Sequence, residues 1–416
     1  MADALDSIDL TDLDLFAGGF PHEVFAQLRR RAPVWWHEPT AQTPDGVGFW
    51  VLSGYEPVMA AVSDADTFSS ERGPGADGGG TLIQDLPYGF AAGVLLNMMD
   101  DSRHQLLRRT VTPSVSPRAL ARMEGELRRR TVSILAAAAQ KKTCDFLLDV
   151  AVELPLQATA MLLGVPEEDR HDLMRWSNAT LDYEGRQLGE SNEAAAQAAA
   201  SAATYGSALI EHKRSEGGDD MLCALLRGLP QDARPQAPVS DLELLMFFNL
   251  LIVAGSETTR NAIALGLQAL IEHPGQMDAL RADPLRLDSA VEEILRYSSP
   301  TLYNRRTAVR DVELGGQRIA AGDKVTLWWA SANFDGSVFA DAMSFDVGRH
   351  PNQHLAFGYR SHFCLGANLA RMELRLVFEE LLAGFEGFEL VGPIERFRTN
   401  KHAGVKRMPV RLHPKG

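Results

Sequence analysis

The longest apolar stretch of the sequence is the feature that most restricts the fold. Residues 241–273, DLELLMFFNLLIVAGSETTRNAIALGLQALIEH, predict one long helix with apolar side chains on several faces. Such a helix is stable in water only when other elements surround it, so it belongs in the centre of the protein. Its most apolar part, LLMFFNLLIVAG, is too short to span a bilayer and contains Asn249. No membrane segment is therefore predicted.

The rest of the chain has a helical pattern over residues 103–297, with strands before and after it. Short strand patterns occur at 34–39 and 48–54, and further ones follow Tyr297 as RTAVR, VELGGQRIAAG and DKVTLWWASAN. A helix over 366–384 and a last pair of strands follow. Because helical and strand-rich parts alternate without a convincing boundary, the sequence indicates one mainly α-helical domain over 1–416. Residues 1–15 are expected to be a flexible N-terminal segment.

Charge and cysteine content limit the partners and the location. The formal net charge is −14 and no long basic tract is present, so nucleic acid is not an expected partner. Three widely spaced cysteines, Cys144, Cys223 and Cys364, do not form a disulfide framework and favour a reducing, cytoplasmic location. The acidic N-terminus lacks the basic region and the apolar run of a signal peptide.

Cys364 stands immediately before the last predicted helix, in the segment HFCLGANLARMEL. The positive end of the helix dipole and the unpaired N–H groups there favour a thiolate. Gly366 lets a bulky group approach the backbone, and Phe357 is placed to shield the sulfur. A thiolate ligand of a haem iron needs these features. Residue types alone leave a buried structural cysteine open as the alternative.

The segment FGYRSHFCLG, 357–366, resembles the haem-binding signature of the cytochrome P450 family, Phe-Gly-x-Gly-x-His/Arg-x-Cys-x-Gly. The matching residues are Phe357, Gly358, His362, Cys364 and Gly366. Arg360 departs from the signature, because the family usually has a second glycine there. The resemblance implies a single triangular helical domain with small β-sheets. It also implies haem b as the cofactor, with Cys364 as the axial ligand of the iron.

The central helix carries the segment AGSETTR, 254–260. Glu257 and Thr258 are polar neighbours in an apolar context, and taken alone they could be satisfied polar groups that bend the helix. They resemble the family's acid–alcohol pair, which supplies protons for dioxygen activation. The resemblance implies that Gly255, with Ala254 beside it, leaves room next to the haem.

Two further groups of residues follow in the order that the family has. Glu293 and Arg296 match the Glu-x-x-Arg pair, which is buried and structural in the family, and Arg349 is expected to be its third partner. As a bare pattern, such a pair is usually a solvated surface ion pair. The resemblance implies that the haem propionates are bound by His104, Arg108, Arg306 and His362.

The resemblance implies a haem-thiolate monooxygenase that uses O2 as co-substrate and inserts one oxygen atom into a C–H bond. The sequence shows no flavin or iron–sulfur segment, so electrons are expected from a ferredoxin and its reductase. Arg360, Arg371 and Arg375 are expected to attract an acidic ferredoxin. The protein is expected to be a monomer that binds no membrane.

The substrate pocket is expected by analogy at segments 72–97, 176–190 and 399–405. Individual candidates are Leu250, Val253, Ala254, Thr301, Leu302, Lys401 and His402. Most of these offer apolar walls, and the chain is similar to the bacterial branch that hydroxylates sterols, terpenoids and branched lipids. Lys401 and His402 either form a solvated turn or hold the carboxylate of a terpenoid acid.

Two rival classes of protein stay open at this point. A haem-thiolate oxidase that catalyses desaturation, ring formation or oxidative rearrangement would use the same residues. A dedicated peroxide user is disfavoured by the intact Glu257–Thr258 pair. A non-enzymatic helical protein that binds a ligand or haem is disfavoured by the full cysteine signature together with that pair.

Overall fold

The computed structural model describes residue 5 and residues 7–75, 77–181, 192–229 and 237–416. Helices dominate this part of the chain. They are α1 (His22–Arg31), α2 (Tyr55–Ser63), α3 (Arg103–Val111), α4 (Pro117–Ala139), α5 (Glu153–Leu163), α6 (Arg170–Leu181), α7 (Glu193–Glu216), α8 (Met221–Leu226), α9 (Asp241–Glu272), α10 (Pro274–Ala282), α11 (Leu287–Ser298), α12 (Trp329–Ala332) and α13 (Ala367–Gly384). The predicted mainly α-helical fold class is confirmed.

The strands are short and form small sheets. They are β1 (Val34–His37), β2 (Phe49–Leu52), β3 (Phe68–Ser69), β4 (Gly78–Gly79), β5 (Leu86–Pro87), β6 (Cys144–Asp145), β7 (Asn304–Ala308), β8 (Val312–Leu314), β9 (Gln317–Ile319), β10 (Lys324–Leu327), β11 (Phe385–Leu390), β12 (Glu395–Arg396), β13 (Val405–Arg407) and β14 (Pro409–Pro414). A hairpin at Gly315–Gly316, within the predicted strand segment VELGGQRIAAG, joins β8 to β9, and both glycines have positive φ, +59° and +75°.

Helix α9 is the central element, as the sequence predicts. Its first turn is fixed by a capping box, in which Ser240 Oγ accepts the Glu243 N–H at 3.2 Å and the Glu243 carboxylate accepts the Ser240 N–H at 2.8 Å. The helix contacts α5, α7, α11 and α13, and its second half is mostly buried. Within the described part of the chain, α9 is also the one helix long and apolar enough to cross a membrane. Its packing is that of a core helix.

The largest sheet has the strand order β1-β2-β10-β7-β3. Strands β2 and β10 run parallel and the other neighbours are antiparallel. Successive side chains on β7 point to opposite faces. Arg305 therefore points away from the central helices, where its Nη1 lies 2.5 Å from Asp85 Oδ1. Arg306 points into the cavity beside α9.

The N-terminal segment packs against the rest of the protein. The side chains of Leu10 and Leu13 are fully buried. The Leu10 N–H donates to His37 Nε2 at 3.0 Å, and Asn400 Nδ2 donates to the Leu10 carbonyl at 2.9 Å. The prediction of a flexible segment over 1–15 is therefore wrong for residues 10–15. The reason is that the leucines of this acidic segment cover apolar surface beside the large sheet.

Candidate active site

A cavity lies between helix α9, the start of strand β7 and the loop that precedes α13. Its empty volume, counted with the open space at its mouth, is about 1160 Å³. The α9 residues that line it are Ala254, Gly255, Thr258, Thr259 and Ala262. The loop before α13 brings Phe357, His362 and Cys364 to the same cavity.

Backbone contacts within the loop 357–366 fix the position of Cys364. The Cys364 N–H donates to the Phe357 carbonyl at 2.8 Å, and Gly358 adopts a φ of +68°, which favours glycine. The ring of Phe357 packs edge-on against Phe363 at a centroid distance of 5.9 Å. The Arg371 guanidinium lies 4.6 Å from the Phe357 ring centroid. Two contacts thus hold the aromatic ring next to the sulfur-bearing turn.

Cys364 lies inside the protein, but its side chain is exposed to the cavity. Burial raises the pKa of the Cys364 thiol, while the Gly366 N–H and the charges of Arg108 and Arg371 oppose this shift. The helix terminus therefore favours the thiolate as expected, through the Gly366 N–H, but desolvation outweighs this effect in the metal-free protein. A coordinated metal ion deprotonates a thiol, so a thiolate here depends on the bound metal.

Ionisable and cationic side chains meet at one end of the cavity. The imidazole rings of His104 and His362 stack with their centroids 4.1 Å apart. Burial lowers the pKa of His362 to about 2, and Arg306, His104 and Arg108 add to the shift. Burial also lowers the pKa of Arg306 to about 10. None of the described carboxylates forms a salt bridge with Arg108, Arg306 or His362.

We define the propionate cluster as His104, Arg108, Arg306 and His362. Its positive charge suits the binding of a dianion. Buried cations without a counter-charge are unfavourable. The two carboxylates of a haem would supply that counter-charge through charge-assisted hydrogen bonds. The open sulfur of Cys364, the cavity and the propionate cluster together fit a haem b.

The cavity face of α9 combines a hydroxyl with small residues. Thr258 Oγ1 donates to the Ala254 carbonyl at 2.9 Å, and Ala254 is open to the cavity. Gly255 has a second constraint that the sequence did not indicate. A Cβ atom at Gly255 would lie 2.4 Å from Thr159 Oγ1 on α5. Glycine is thus required for the close approach of α5 and α9. This requirement is separate from the space that the missing side chain leaves in the cavity.

Glu257 does not line the cavity. It is buried in an ion pair with Arg260, and Asn261 Nδ2 donates to its Oε1 at 2.9 Å. Asn261 Oδ1 in turn accepts the Val405 N–H at 3.0 Å. The structure brings Thr258 to the cavity but not its acidic neighbour. Arg260 and Asn261 follow Glu257 at i+3 and i+4, and this spacing could have indicated that they bind its carboxylate.

The sequence analysis missed Glu373, an acid that does line the cavity. Its side chain comes from α13 and is 1% exposed. Thr259, which also lines the cavity, hydrogen-bonds to it. Glu373 lies on the buried face of α13 with Leu369 and Leu376. A charged residue within an apolar helical stripe is the sequence signal that could have revealed it.

The structure joins the three residues expected to form a buried network. Glu293 and Arg296 are fully buried, and Arg296 Nε and Nη2 each lie 2.8 Å from a Glu293 oxygen. Arg349 Nε lies 3.1 Å from Glu293 Oε2. Arg296 also donates to the carbonyls of Asn333 and Ala342, both at 2.8 Å. The network therefore links α11 to the irregular segment before the cysteine.

The substrate-pocket candidates divide into two groups. Thr301 and Ala254 line the cavity, as does Asn97 from the expected segment 72–97. Leu250 and Val253 are partly buried on α9 outside the lining, and Leu302 is buried in an apolar core cluster. Residues 182–190 of the expected segment 176–190 lie outside the described residues.

Lys401 and His402 lie half-buried in the turn between β12 and β13. Lys401 Nζ donates to the Tyr303 carbonyl at 2.5 Å and lies 4.6 Å from the Tyr303 ring centroid. Burial, with a smaller effect of Arg306, lowers the pKa of Lys401 to about 7. Burial also lowers the pKa of His402 to about 3. Both side chains are half-buried, so the turn is only partly solvated, and the two interpretations of Lys401 and His402 stay open.

The three arginines around the cysteine differ in their partners. Arg371 forms a two-point ion pair with Glu292, at 2.6 and 2.7 Å. Arg375 pairs with Glu124 and Glu379, at 2.8 and 3.0 Å. Arg360 is exposed, has a φ of +52° and places its guanidinium 5.6 Å from the Tyr359 ring centroid. The expected attraction of a ferredoxin by Arg371 and Arg375 is weakened, because carboxylates of the same chain neutralise them.

Fold and site together define a haem-binding oxidoreductase with a cysteine ligand. A sequence model of the family "Cytochrome P450" matches residues 156–409. The chain belongs to the cytochrome P450 family, whose members are haem-thiolate enzymes that use O2. It is an oxidoreductase of the monooxygenase type.

Known relatives cover almost the whole chain. It is 48% identical to "Putative cytochrome P450 126" of Mycobacterium tuberculosis, over 99% of both chains. It is 38% identical to "Methyl-branched lipid omega-hydroxylase" of the same species, over 97% of this chain and 94% of that one. A solved Mycobacterium marinum cytochrome P450 in complex with pseudoionone is 31% identical, with a TM-score of 0.86 over 97% of this chain and 98% of that one.

Proposed function

We propose that this protein inserts one atom of O2 into a C–H bond of a bulky, largely apolar molecule of terpenoid, steroid-like or methyl-branched lipid type. The observation that carries the proposal is the cavity wall. Val62, Ala254, Leu295 and Trp329 face the same cavity as Cys364. These side chains form an apolar part of the wall, which favours an apolar ligand. The names of the relatives, a methyl-branched lipid hydroxylase and a pseudoionone complex, support the same substrate class.

Each group of side chains has a distinct task in this proposal. When bound, haem supplies the redox chemistry that splits O2, so that one atom enters the C–H bond and the other leaves as water. Cys364 would hold the iron as a thiolate, and the propionate cluster would hold the carboxylates. Thr258 presents a hydroxyl in the cavity wall that can accept and donate a proton.

Electrons would come from a ferredoxin and its reductase. Bacterial members of the family generally use such partners. Arg360 supports this part of the proposal, because its charge is exposed beside the cysteine loop and a cation there attracts an acidic partner. We propose further that the protein acts as a cytoplasmic monomer.

An optical titration of the haem-loaded protein tests the substrate class. The Soret band is followed while methyl-branched fatty acids, terpenoids, steroids and straight-chain fatty acids of matched length are added. A low-to-high-spin shift is expected with the branched or polycyclic compounds, at lower concentration than with the straight chains. Equal responses to branched and straight chains would overturn the proposed class.

Product analysis with a ferredoxin and reductase tests the reaction. The expected product carries one additional oxygen atom, labelled when the reaction is run under 18O2. A product that lacks two hydrogens and carries no label would contradict hydroxylation and indicate the desaturase alternative.

A further inference from the structure

Glu292 of α11 connects the two segments that flank Cys364. Its carboxylate accepts hydrogen bonds from Arg371 Nε at 2.6 Å and from Arg371 Nη2 at 2.7 Å, and Arg371 lies on α13, the helix that follows the cysteine. Glu292 Oε2 also lies 3.1 Å from His354 Nε2, in the segment that precedes the cysteine. One carboxylate therefore ties together both sides of the cysteine loop.

The hydrogen bonds around His354 define the charges of this group. Its Nδ1 accepts the Ala356 N–H at 3.2 Å, so its Nε2 carries the proton and donates to Glu292. Burial raises the pKa of Glu292, but the contacts with Arg371 and His354 outweigh this effect and bring it down to about 2. Glu292 is therefore a carboxylate at neutral pH, and its negative charge offsets the positive charge of Arg371.

The two partners of Glu292 also support the ring of Phe357. The Arg371 guanidinium lies 4.6 Å from the Phe357 ring centroid, and the His354 ring packs against the same ring at a centroid distance of 5.9 Å. The Phe357 carbonyl accepts the Cys364 N–H at 2.8 Å, so the residue that carries this ring also positions the cysteine. Loss of Glu292 would loosen both supports of the ring at once.

Arg371 also acts on Cys364 through its charge. Like Arg108, it favours ionisation of the Cys364 thiol. Charges and hydrogen bonds near a ligating sulfur influence the reduction potential of the metal that it binds. Because the Glu292 carboxylate contacts the Arg371 guanidinium directly, it determines how much of this positive charge acts on the sulfur.

We propose that Glu292 is a positioning residue for the haem-thiolate site, which holds the Phe357 ring in place and limits the effect of the Arg371 charge on Cys364. The inference goes beyond the proposed function, because it concerns the reduction potential of the haem-loaded protein and requires no particular substrate. It rests on haem ligation by Cys364. An added positive charge favours the reduced state and an added negative charge disfavours it. Removal of Glu292 and removal of Arg371 should therefore have opposite effects.

A spectroelectrochemical titration of the substrate-free, haem-loaded protein tests the charge effect without a redox partner. Glu292→Gln leaves the Arg371 cation without its carboxylate, so the reduction potential should shift to a more positive value. Arg371→Gln leaves the carboxylate without its cation, so the potential should shift to a more negative value. The double variant should lie between the two single variants.

Glu124→Gln is the matched control for this titration. Glu124 pairs with Arg375, one turn further along α13, and Arg375 keeps Glu379 as a second partner. This variant should leave the reduction potential unchanged. Shifts of the same sign in Glu292→Gln and Arg371→Gln, no shift in either, or an equal shift in Glu124→Gln would overturn the inference.

The optical band of the ferrous–CO complex tests the support of the ring separately, because it reports whether the sulfur stays bound as a thiolate. Glu292→Asp keeps the charge but is too short to hold both partners. It should therefore keep a potential near that of the wild-type protein, yet lose the thiolate band faster on incubation. Loss of the band at the wild-type rate would refute the positioning role. If Glu292→Gln does not fold, Arg371→Gln decides the charge effect, and an unchanged or more positive potential in that variant would refute it.

Discussion

The rings of His104 and His362 are stacked at 4.1 Å beside the guanidinium of Arg306. Burial and the neighbouring cations lower the pKa of both histidines. Both rings are therefore neutral at physiological pH as long as no anion is bound. A bound dianion would oppose this repulsion, so we expect haem binding to raise the pKa of both histidines.

Replacement of Arg306 should affect the apoprotein and the haem-loaded protein in opposite directions. Arg306→Gln should lose haem to apomyoglobin roughly 10- to 100-fold faster, because a charge-assisted hydrogen bond contributes about 1.5–3 kcal/mol. The apoprotein should become more stable to urea, because a buried charge that forms no salt bridge with any described carboxylate is removed. Arg310→Gln, at an exposed position near the same strand, is the control. A variant that is less stable in both forms would contradict the haem-binding role.

Arg360 occupies a backbone conformation that favours glycine. Its φ of +52° lies in the left-handed region, which is unfavourable for a residue with a Cβ atom. The free energy of unfolding of Arg360→Gly should exceed that of Arg360→Ala by about 0.5–1 kcal/mol. This difference already includes the opposing effect of glycine, whose backbone has more entropy in the unfolded chain. Both variants remove the charge, so urea unfolding isolates the backbone effect. Equal stability of the two variants would contradict the strain.

Helices α5 and α9 should be driven apart by a methyl group at position 255. Gly255→Ala should destabilise the protein by about 1–3 kcal/mol, because the new Cβ atom would meet Thr159 Oγ1. The double variant with Thr159→Ala should recover much of this loss, and Thr159→Ala alone is the control. Urea unfolding of the four proteins gives the coupling free energy. A coupling near zero would show that the close approach does not require glycine.

The stability of the protein should depend on pH through Lys401. Its pKa falls to about 7 in the folded state, from an ordinary value of 10.5. The unfolded chain therefore binds more protons between these values, and the contribution of Lys401 to stability rises as the pH increases from 7 to 10.5. Below pH 7 its destabilising effect is complete.

Lys401→Met should therefore be more stable than the wild-type protein by roughly 2–4 kcal/mol at pH 6, and this difference should shrink toward pH 10. Urea unfolding at several pH values measures it, with Lys142→Met at an exposed position as the control. A difference that does not change with pH would rule out the lowered pKa. If Lys401 also holds the carboxylate of a substrate acid, Lys401→Ala should weaken binding of the acid but not of its neutral analogue.

The family resemblance predicted several residues that the structure brings together around the cavity, among them Arg306, His362 and Cys364, because each lies within a recognisable local motif. The orientation of a side chain on a buried helix is a different matter. Glu257 and Thr258 are adjacent, yet helical periodicity points them to different sides of α9, and Arg260 and Asn261 bind the acid on its side.

The sequence analysis also could not predict contacts between residues that are far apart in the chain. Arg371 appeared free to meet a partner protein, but its carboxylate partner is Glu292 of α11. Glu373 shares the cavity with Thr259 only because α13 crosses α9. Neither pairing has a local signature, since the residues involved are far apart in the chain.

The contact between the two ends of the chain determines when folding can be completed during synthesis. Leu10 reaches its full set of hydrogen bonds only when Asn400 is present, and Arg398 pairs with Asp14. His37 follows Leu10 closely in the chain, whereas Arg398 and Asn400 are synthesised almost 390 residues later. Residues 10–14 can therefore pack early against the first strands during synthesis, but they complete their hydrogen bonds only after residues 398–400 have left the exit tunnel.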